Sequence, residues 1–169
     1  MKNLKPLMAF LIILITFTCV AQQHDNFRLN NVDMFNVFVV VDPVASIDDG
    51  LNIGLGFEYV GPIYAGLQLR TMPVLEDGYN EFVGKIGLPF ISGYDGEWQY
   101  RLGIELGGVM RSDWAPQFGA EVALHRKIGD TGFYVFARFG GQTREDQKLY
   151  NYDAIWQWKG DAGVSYRFN

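Results

Sequence analysis

Cysteine and histidine are almost absent from this sequence. It contains one Cys and two His in 169 residues, so we expect neither a disulfide framework nor a histidine-based metal site. Basic runs are also missing, and 19 acidic against 14 basic side chains give a formal charge of −5. An acidic chain of this kind is not expected to bind nucleic acid. No stretch after residue 33 has a helical period, which argues against a helical bundle.

The first 21 residues have the order of a secretory signal peptide. Lys2 and Lys5 come first, an apolar run covers residues 7–15, and small residues lead up to Ala21. The apolar run is shorter than the ~20 residues of a membrane-spanning helix. Cleavage after Ala21 would leave 148 of the 169 residues, one domain without cysteine. The alternative is lipoprotein processing at Cys19, although the residue before it is not Gly, Ala or Ser.

Alternation of apolar and polar residues takes the place of a helical pattern, and it predicts β-strands with two unlike faces. The eight runs cover residues 34–42, 51–60, 63–72, 80–90, 97–110, 117–127, 132–142 and 155–169. Turn signals rich in Gly, Pro and Asp separate the runs, including Gly61-Pro62 and Ala115-Pro116. Residues 22–33, rich in Asn and Gln, are predicted to be a flexible leader, and residues 34–169 to be one barrel domain.

The two faces of the eight runs differ in chemistry. One face is aromatic or aliphatic and carries no charge, as in Leu51, Ile53, Leu55, Phe57 and Tyr59 of the second run. The charged and polar residues of the other face are Glu58, Gln68, Arg70, Lys85, Gln99, Arg101, Glu105, Glu121, His125, Arg138, Lys159, Asp161, Ser165 and Arg167. Nine glycines share that face: Gly54, Gly56, Gly66, Gly87, Gly103, Gly107, Gly119, Gly140 and Gly163.

Two architectures fit eight such strands. A soluble barrel or sandwich points its apolar face inward, whereas a transmembrane barrel points that face at lipid. Three observations favour the membrane. Nine glycines weaken strands without benefit on a solvated face, but they make room in a narrow interior. Aromatic residues fall at both ends of the strands with aliphatic residues between them, which is the pattern of a lipid-facing surface. Connections after odd-numbered strands are mostly longer than those after even-numbered strands, as in barrels with short periplasmic turns and long outer loops.

The aromatic residues are predicted to form two girdles. With the amino terminus of the barrel in the periplasm, the periplasmic girdle is Tyr59, Phe90, Trp98, Phe133, Tyr166 and Phe168. The opposite girdle is Phe82, Phe118, Phe139, Trp156 and Trp158.

The alternation, the girdles, the signal peptide and the last strand over residues 162–169 resemble the small eight-stranded outer-membrane barrels of the OmpA and OmpX type. The resemblance covers residues 34–169. It implies an all-β, antiparallel, up-and-down transmembrane β-barrel of eight strands in the outer membrane of a Gram-negative bacterium. It also implies that the barrel-assembly machinery reads an aromatic residue in the last strand, and Phe168 stands one place before the end.

The polar face offers the first candidate for a function. Its six bases are Arg70, Lys85, Arg101, Arg138, Lys159 and Arg167, and its four acids are Glu58, Glu105, Glu121 and Asp161. Buried charges must pair, because an unpaired one costs several kcal/mol. We therefore expect a salt-bridged network that fills the interior, with some arginines bonded to Tyr64, Tyr134, Gln68 or Gln99. The alternative is a gated ion path.

His125 is the second candidate. Some small outer-membrane barrels modify lipids, and a deacylase resembling this chain in size uses a His-x-Ser motif with an acid. Here Arg126 and Lys127 follow His125, so the serine is missing, and Glu121 lies about 13 Å away along an extended strand. We expect an interior histidine with no catalytic role, and no catalytic, cofactor-binding or metal-ligating residue in the chain.

The predicted outer loops hold two further features. Asp42, Asp48, Asp49 and Gly50 form an acidic group in the first loop, without the spacing of an EF-hand. A weak calcium site and a solvated acidic loop both remain open. Residues 143–148 form a mixed-charge loop with Tyr150, Tyr152 and Trp156 just beyond it. These aromatic residues can belong to an adhesion patch or to the outer girdle.

Four functions follow, in decreasing order of support. The first is a structural or interaction barrel anchored in membrane lipid, whose outer loops meet partners. The second is a narrow channel or transport component. The third is a soluble exported calycin-like binder. The fourth is an outer-membrane enzyme, which the missing nucleophile disfavours.

Overall fold

The computed structural model describes residues 28–29, 33–43, 51–73, 78–92, 97–143, 145–146 and 156–168. Its elements are the strands β1 (Arg28–Leu29), β2 (Met34–Val41), β3 (Ile53–Val60), β4 (Tyr64–Thr71), β5 (Asn80–Ser92), β6 (Trp98–Met110), β7 (Trp114–Lys127), β8 (Phe133–Thr143) and β9 (Trp156–Phe168). The eight predicted runs correspond to β2–β9. The short strand β1 lies within the predicted leader, and residues 1–27 lie outside the described residues.

The sheet closes into an antiparallel barrel of eight strands. Each strand from β2 to β8 pairs with the next one along the chain, and β2 also pairs with β9. The strand β1 pairs with Phe90 and Ile91 of β5, beyond the last residue of β5 that β4 reaches. The predicted all-β, up-and-down topology is therefore confirmed.

The two ends of the barrel differ. We call the end with Met34 and Phe168 the terminal end and the opposite one the loop end. The terminal end carries the connections 61–63, 93–97 and 128–132, and Gly129 gives the last of these its positive φ of 54°. The loop end carries the connections 42–52, 72–79, 111–113 and 144–155. Three of these four are long, as predicted.

The connection over 111–113 is shorter than the predicted 111–116. The strand β7 already begins at Trp114, and Pro116 pairs with Gly108 of β6. Pro116 is tolerated there because β8 pairs with β7 only from Gly119 onward, which leaves this part of β7 at an edge. The Ala115-Pro116 pair was therefore misread as a turn.

The apolar face points outward and the polar face points inward. In β3, Leu55 is 61% exposed and Phe57 54%, whereas the next residue, Glu58, is 1% exposed. The same alternation holds in every barrel strand, and Arg167 is only half-buried among the interior bases. The outer surface of the barrel is therefore apolar, and its interior is lined with charged side chains.

Aromatic rings pack against one another on the outer surface near both ends. At the terminal end, the ring centroids of Phe133 and Tyr166 lie 4.9 Å apart. At the loop end, Phe139 stacks on Trp158 with 5.5 Å between centroids. The predicted rows of aromatic side chains are present at both ends, and Trp114 joins the loop-end row. No helix in the described part of the chain is long and apolar enough to cross a membrane.

Interior glycines make room for large side chains. A Cβ atom at Gly103 would collide with the hydroxyl group of Tyr64, and one at Gly56 would collide with the ring of Phe38. Both rings are buried; Phe38 comes from the neighbouring strand β2, and Tyr64 of β4 reaches Gly103 of β6 past β5. The glycine-rich face is therefore a packing requirement of a narrow barrel.

Candidate functional site

The middle of the interior holds two acids and two lysines. The carboxylate of Glu105 contacts the ammonium groups of Lys85, at 2.6 Å, and of Lys159. Glu121 lies 2.6 Å from Lys85 and 3.8 Å from Lys159, and it accepts a 3.3 Å hydrogen bond from the hydroxyl of Tyr64. All four charged residues are buried. Because they come from β5, β6, β7 and β9, their ion pairs connect opposite walls of the barrel.

Nearer the terminal end, two arginines share one acid. Arg101 and Arg138 both bind the carboxylate of Glu58, the second at 3.4 Å. Each arginine also donates one hydrogen bond to an amide oxygen, Arg101 to Gln99 at 3.3 Å and Arg138 to Gln68 at 3.0 Å. The predicted use of Gln68 and Gln99 as arginine partners is confirmed.

Nearer the loop end, one arginine meets two acids. Arg70 pairs with Asp161 and lies 3.5 Å from Asp42. The expected packing of Arg70 with an interior acid is therefore confirmed, and Asp42 joins the network. Although Asp42 comes just after β2, its side chain is buried and is not part of a solvated loop.

A group of neutral donors surrounds a further acid at the loop end. Glu81 is buried and accepts hydrogen bonds from the hydroxyl of Tyr79, at 2.6 Å, and from the amide of Gln117, at 3.0 Å. Gln117 also donates to the amide oxygen of Gln142 at 2.8 Å. These residues were missed in the sequence, although Glu81 has the same parity as Lys85 in its strand and could have been assigned to the interior.

Asp42 and Glu81 change the balance of charge inside the barrel. The sequence predicted six interior bases and four acids, and these two residues raise the number of acids to six. Among the described residues, the six bases of the polar face thus meet six acids, apart from the pair of buried Asp146 with Arg111 at the loop end. The interior charges are not evenly distributed, because the arginines are concentrated toward the terminal end and the acids toward the loop end.

Apolar side chains line the interior at both ends. Met34 and Val60 pack with Tyr64 near the terminal end. Met72, Tyr79 and Val109 pack together near the loop end. The charged network therefore lies between two small apolar clusters, as expected of a filled interior rather than a water-filled one.

His125 lies inside the barrel, fully buried, with its ring stacked on Phe136 at 4.9 Å between centroids. Neither ring nitrogen has a hydrogen-bond partner among the described residues. Its partners in the two adjoining strands are Gln99 of β6 and Phe136 of β8, and neither side chain is a nucleophile. The interior position agrees with the sequence-based expectation.

Several residues named from the sequence lie outside the described part of the chain. These are Cys19, Asp48, Asp49, Gly50, Arg144, Gln147, Lys148, Tyr150 and Tyr152. Of the mixed-charge loop, Asp146 is described and buried, with its carboxylate 3.9 Å from Arg111. Across the described residues, no group of three or more His, Cys, Asp or Glu side chains is arranged to hold a metal ion.

The fold and the interior together define an eight-stranded antiparallel β-barrel with an apolar exterior and an ion-paired core. Comparison of the sequence with protein-family models gave no match, and comparison with curated proteins gave none either.

Proposed function

We propose that this chain is an outer-membrane β-barrel protein of a Gram-negative bacterium, with a structural or interaction role carried by its loop-end connections. The observation that carries the proposal is the orientation of the barrel wall, apolar outside and charged inside. More than two dozen large apolar side chains are exposed on the outer surface of the described residues.

Such a surface suits lipid and not water. Monomeric soluble proteins rarely expose contiguous apolar patches larger than a few hundred Å², whereas here the exposed apolar face continues through all eight barrel strands. A closed barrel also satisfies the hydrogen bonds of its ladders within the sheet, which the hydrocarbon region requires. Barrel strands of 8 to 14 residues compare with the ~9–11 that cross a bilayer when tilted.

The two alternatives that the sequence left open fit the barrel less well. A soluble calycin-like binder needs an apolar cavity inside, whereas here ion-paired side chains fill the middle of the interior. A channel needs an open path, but the ion pairs of Lys159 with Glu105 and of Arg101 with Glu58 cross the interior between strands three apart. The filled interior favours an anchored barrel over a transport component.

The predicted signal peptide and the unequal ends support an orientation. Export followed by insertion through the barrel-assembly machinery, which would read the last strand with Phe168, would leave the terminal end in the periplasm. The loop end, where three of the four connections have 11, 8 and 12 residues, would then face outward. Short periplasmic turns and longer outer loops are the usual arrangement in such barrels.

An arginine scan along one strand tests the lipid-facing surface. Ile104 lies in the middle of β6 and Met110 at its loop end, and both side chains point outward. In lipid, Ile104→Arg should destabilise the barrel by about 2–4 kcal/mol and Met110→Arg by about 0–1 kcal/mol, because the penalty depends on depth. Urea unfolding in lipid vesicles measures both. Equal and small effects at the two positions would contradict a lipid-facing surface.

Cysteine labelling on intact cells tests location and orientation. The only cysteine of the chain lies in the predicted signal peptide, so an introduced cysteine gives a unique signal. Asp113 and Asp130 are exposed in turns at the loop end and the terminal end. A membrane-impermeant maleimide should label Asp113→Cys on intact cells, and Asp130→Cys only after the outer membrane is permeabilised. The reverse pattern would invert the orientation, and labelling of both would refute it.

A further inference from the structure

The outer face of the barrel, which the sequence predicted to be free of charge, carries one charged residue. Arg126 is the second-last residue of β7, and its side chain is exposed. All other charged residues of the described strands β2–β9 belong to the inward-facing set of their strand. The guanidinium of Arg126 is therefore a single positive charge on an otherwise uncharged outer wall.

The ring of Trp98 holds this guanidinium at the terminal end of the barrel. Trp98 of β6 is the ladder partner of Arg126, and the guanidinium carbon lies 5.0 Å from the centroid of its ring. A cation within about 6 Å of an indole ring is attracted to the face of that ring. Trp98 belongs to the terminal-end row of aromatic side chains, and in membrane proteins such rows lie at the level of the lipid headgroups. Arg126 is therefore kept away from the middle of the outer wall, where a charge in lipid is most costly.

No described acid pairs with Arg126 on this face. The acids of the described barrel strands all point inward and are buried. Glu97 flanks the same ladder, where its backbone C=O accepts a 2.8 Å hydrogen bond from the N–H of Lys127. Residues directly opposite in a ladder share a face, so Glu97 lies with Lys127 on the other face from Arg126. The N–H groups of Arg126 are thus available to a ligand at the outer surface.

The chemistry of a guanidinium on this surface selects a phosphate group. Its planar fork of N–H donors binds two oxygens of one phosphate at the same time. In a bilayer, the phosphates at the level of an aromatic row are those of phospholipid headgroups. A zwitterionic headgroup also carries an ammonium group, which would find no carboxylate on the outer face of the described strands. This arrangement favours an anionic phospholipid.

We propose that Arg126 and Trp98 form a binding site for an anionic phospholipid, with the guanidinium on the headgroup phosphate and the indole ring beside the first carbons of an acyl chain. The proposal rests on the membrane location proposed above, and it adds a lipid class and a position. In the orientation proposed above, the site lies in the periplasmic leaflet.

Tryptophan fluorescence reports on this site directly. The chain has four tryptophans, and all except Trp98 lie at the loop end, as Trp114, Trp156 and Trp158. When these three are replaced by Phe, a brominated lipid quenches fluorescence only where it reaches Trp98. The folded barrel in dodecyl maltoside, which contains no phosphate, is titrated with brominated phosphatidylglycerol or brominated phosphatidylcholine. We expect an apparent affinity about three- to tenfold higher for phosphatidylglycerol.

Three variants in this background test the role of Arg126. In Arg126→Gln the preference for phosphatidylglycerol should disappear. Arg126→Lys keeps the charge but loses the planar fork, so its preference should be intermediate. Lys127→Gln is the matched control, because it removes the same charge from the next residue, on the other face of β7, and it should keep the wild-type preference. The mobility of unheated samples on gels shows that each variant is folded.

Two results would overturn the lipid site. Equal losses of preference in Arg126→Gln and Lys127→Gln would show a diffuse attraction of the whole terminal end for anionic lipid. A folded wild type that takes both lipids equally would show that Arg126 does not select a headgroup.

Removal of detergent tests the membrane location separately. If the folded barrel remains monomeric in water without detergent, the proposed location fails, and the lipid site fails with it. If the barrel needs detergent but Arg126→Gln takes phosphatidylglycerol as the wild type does, only the lipid site fails.

Discussion

Removal of the Glu105 charge should destabilise the barrel more than removal of any exposed acid. Glu105 is fully buried and contacts both Lys85 and Lys159. In Glu105→Gln the volume is kept, but the two ammonium groups are left with one carboxylate, Glu121, which lies 2.6 Å from Lys85 and 3.8 Å from Lys159. Breaking a buried pair in this way costs about 3–5 kcal/mol. We expect the lower half of that range, because Glu121 remains.

The assay is urea unfolding in lipid vesicles, followed by tryptophan fluorescence and by the mobility of the folded barrel on gels. Glu97→Gln is the matched control, because Glu97 is exposed in a terminal-end turn, and its cost should stay within about 0.5 kcal/mol.

A double variant, Glu105→Leu with Lys159→Met, removes one acid and one base and leaves Lys85 paired with Glu121. It should recover to within about 1 kcal/mol of wild type. A cost for Glu105→Gln no larger than that for Glu97→Gln would refute a buried ion-paired interior, as would a double variant less stable than the single one.

Two further predictions concern processing and conduction. The mature protein should begin at Gln22, after cleavage behind Ala21, and intact mass measurement will check this; an acylated amino terminus at Cys19 would instead show a lipoprotein. Purified wild-type protein in planar bilayers should show no steady large conductance, because eight strands leave an interior that side chains fill; sustained conductance would support the channel alternative.

Much of the barrel could be predicted because period-2 alternation is unusually regular in this chain. The boundaries of β3 and β6 differ from the predicted runs by at most two residues. The start of β7 was missed because Ala115-Pro116 has the composition of a turn. Proline is accepted there because β8 pairs with β7 only from Gly119, and the sequence alone does not show where that pairing begins. The strand β1 could not be anticipated from its own two residues. They form a strand because they pair with the part of β5 that extends past β4.

The interior network was predictable in composition but not in pairing. Parity along the strands placed Lys85, Glu105 and Glu121 inside, yet parity does not say which side chains meet across the barrel. That depends on the closure of β2 on β9 and on the stagger of the strands. Asp42 ends the first predicted run and was grouped with the acidic residues of the first loop, and its burial against Arg70 depends on a partner from another strand.

The early start of β7 gives one side of the loop end a stiff projection. The β6–β7 ladder continues to Met110 and Trp114, whereas β8 pairs with β7 only from Gly119, so this hairpin rises past its neighbour. The hydroxyl of Thr143 bonds the backbone N–H and C=O of Phe118 at the point where β8 ends. A molecule that contacts the tip at residues 111–113 meets a backbone already fixed by the ladder. Little conformational entropy is then lost on contact, in contrast to a long connection that must first be ordered.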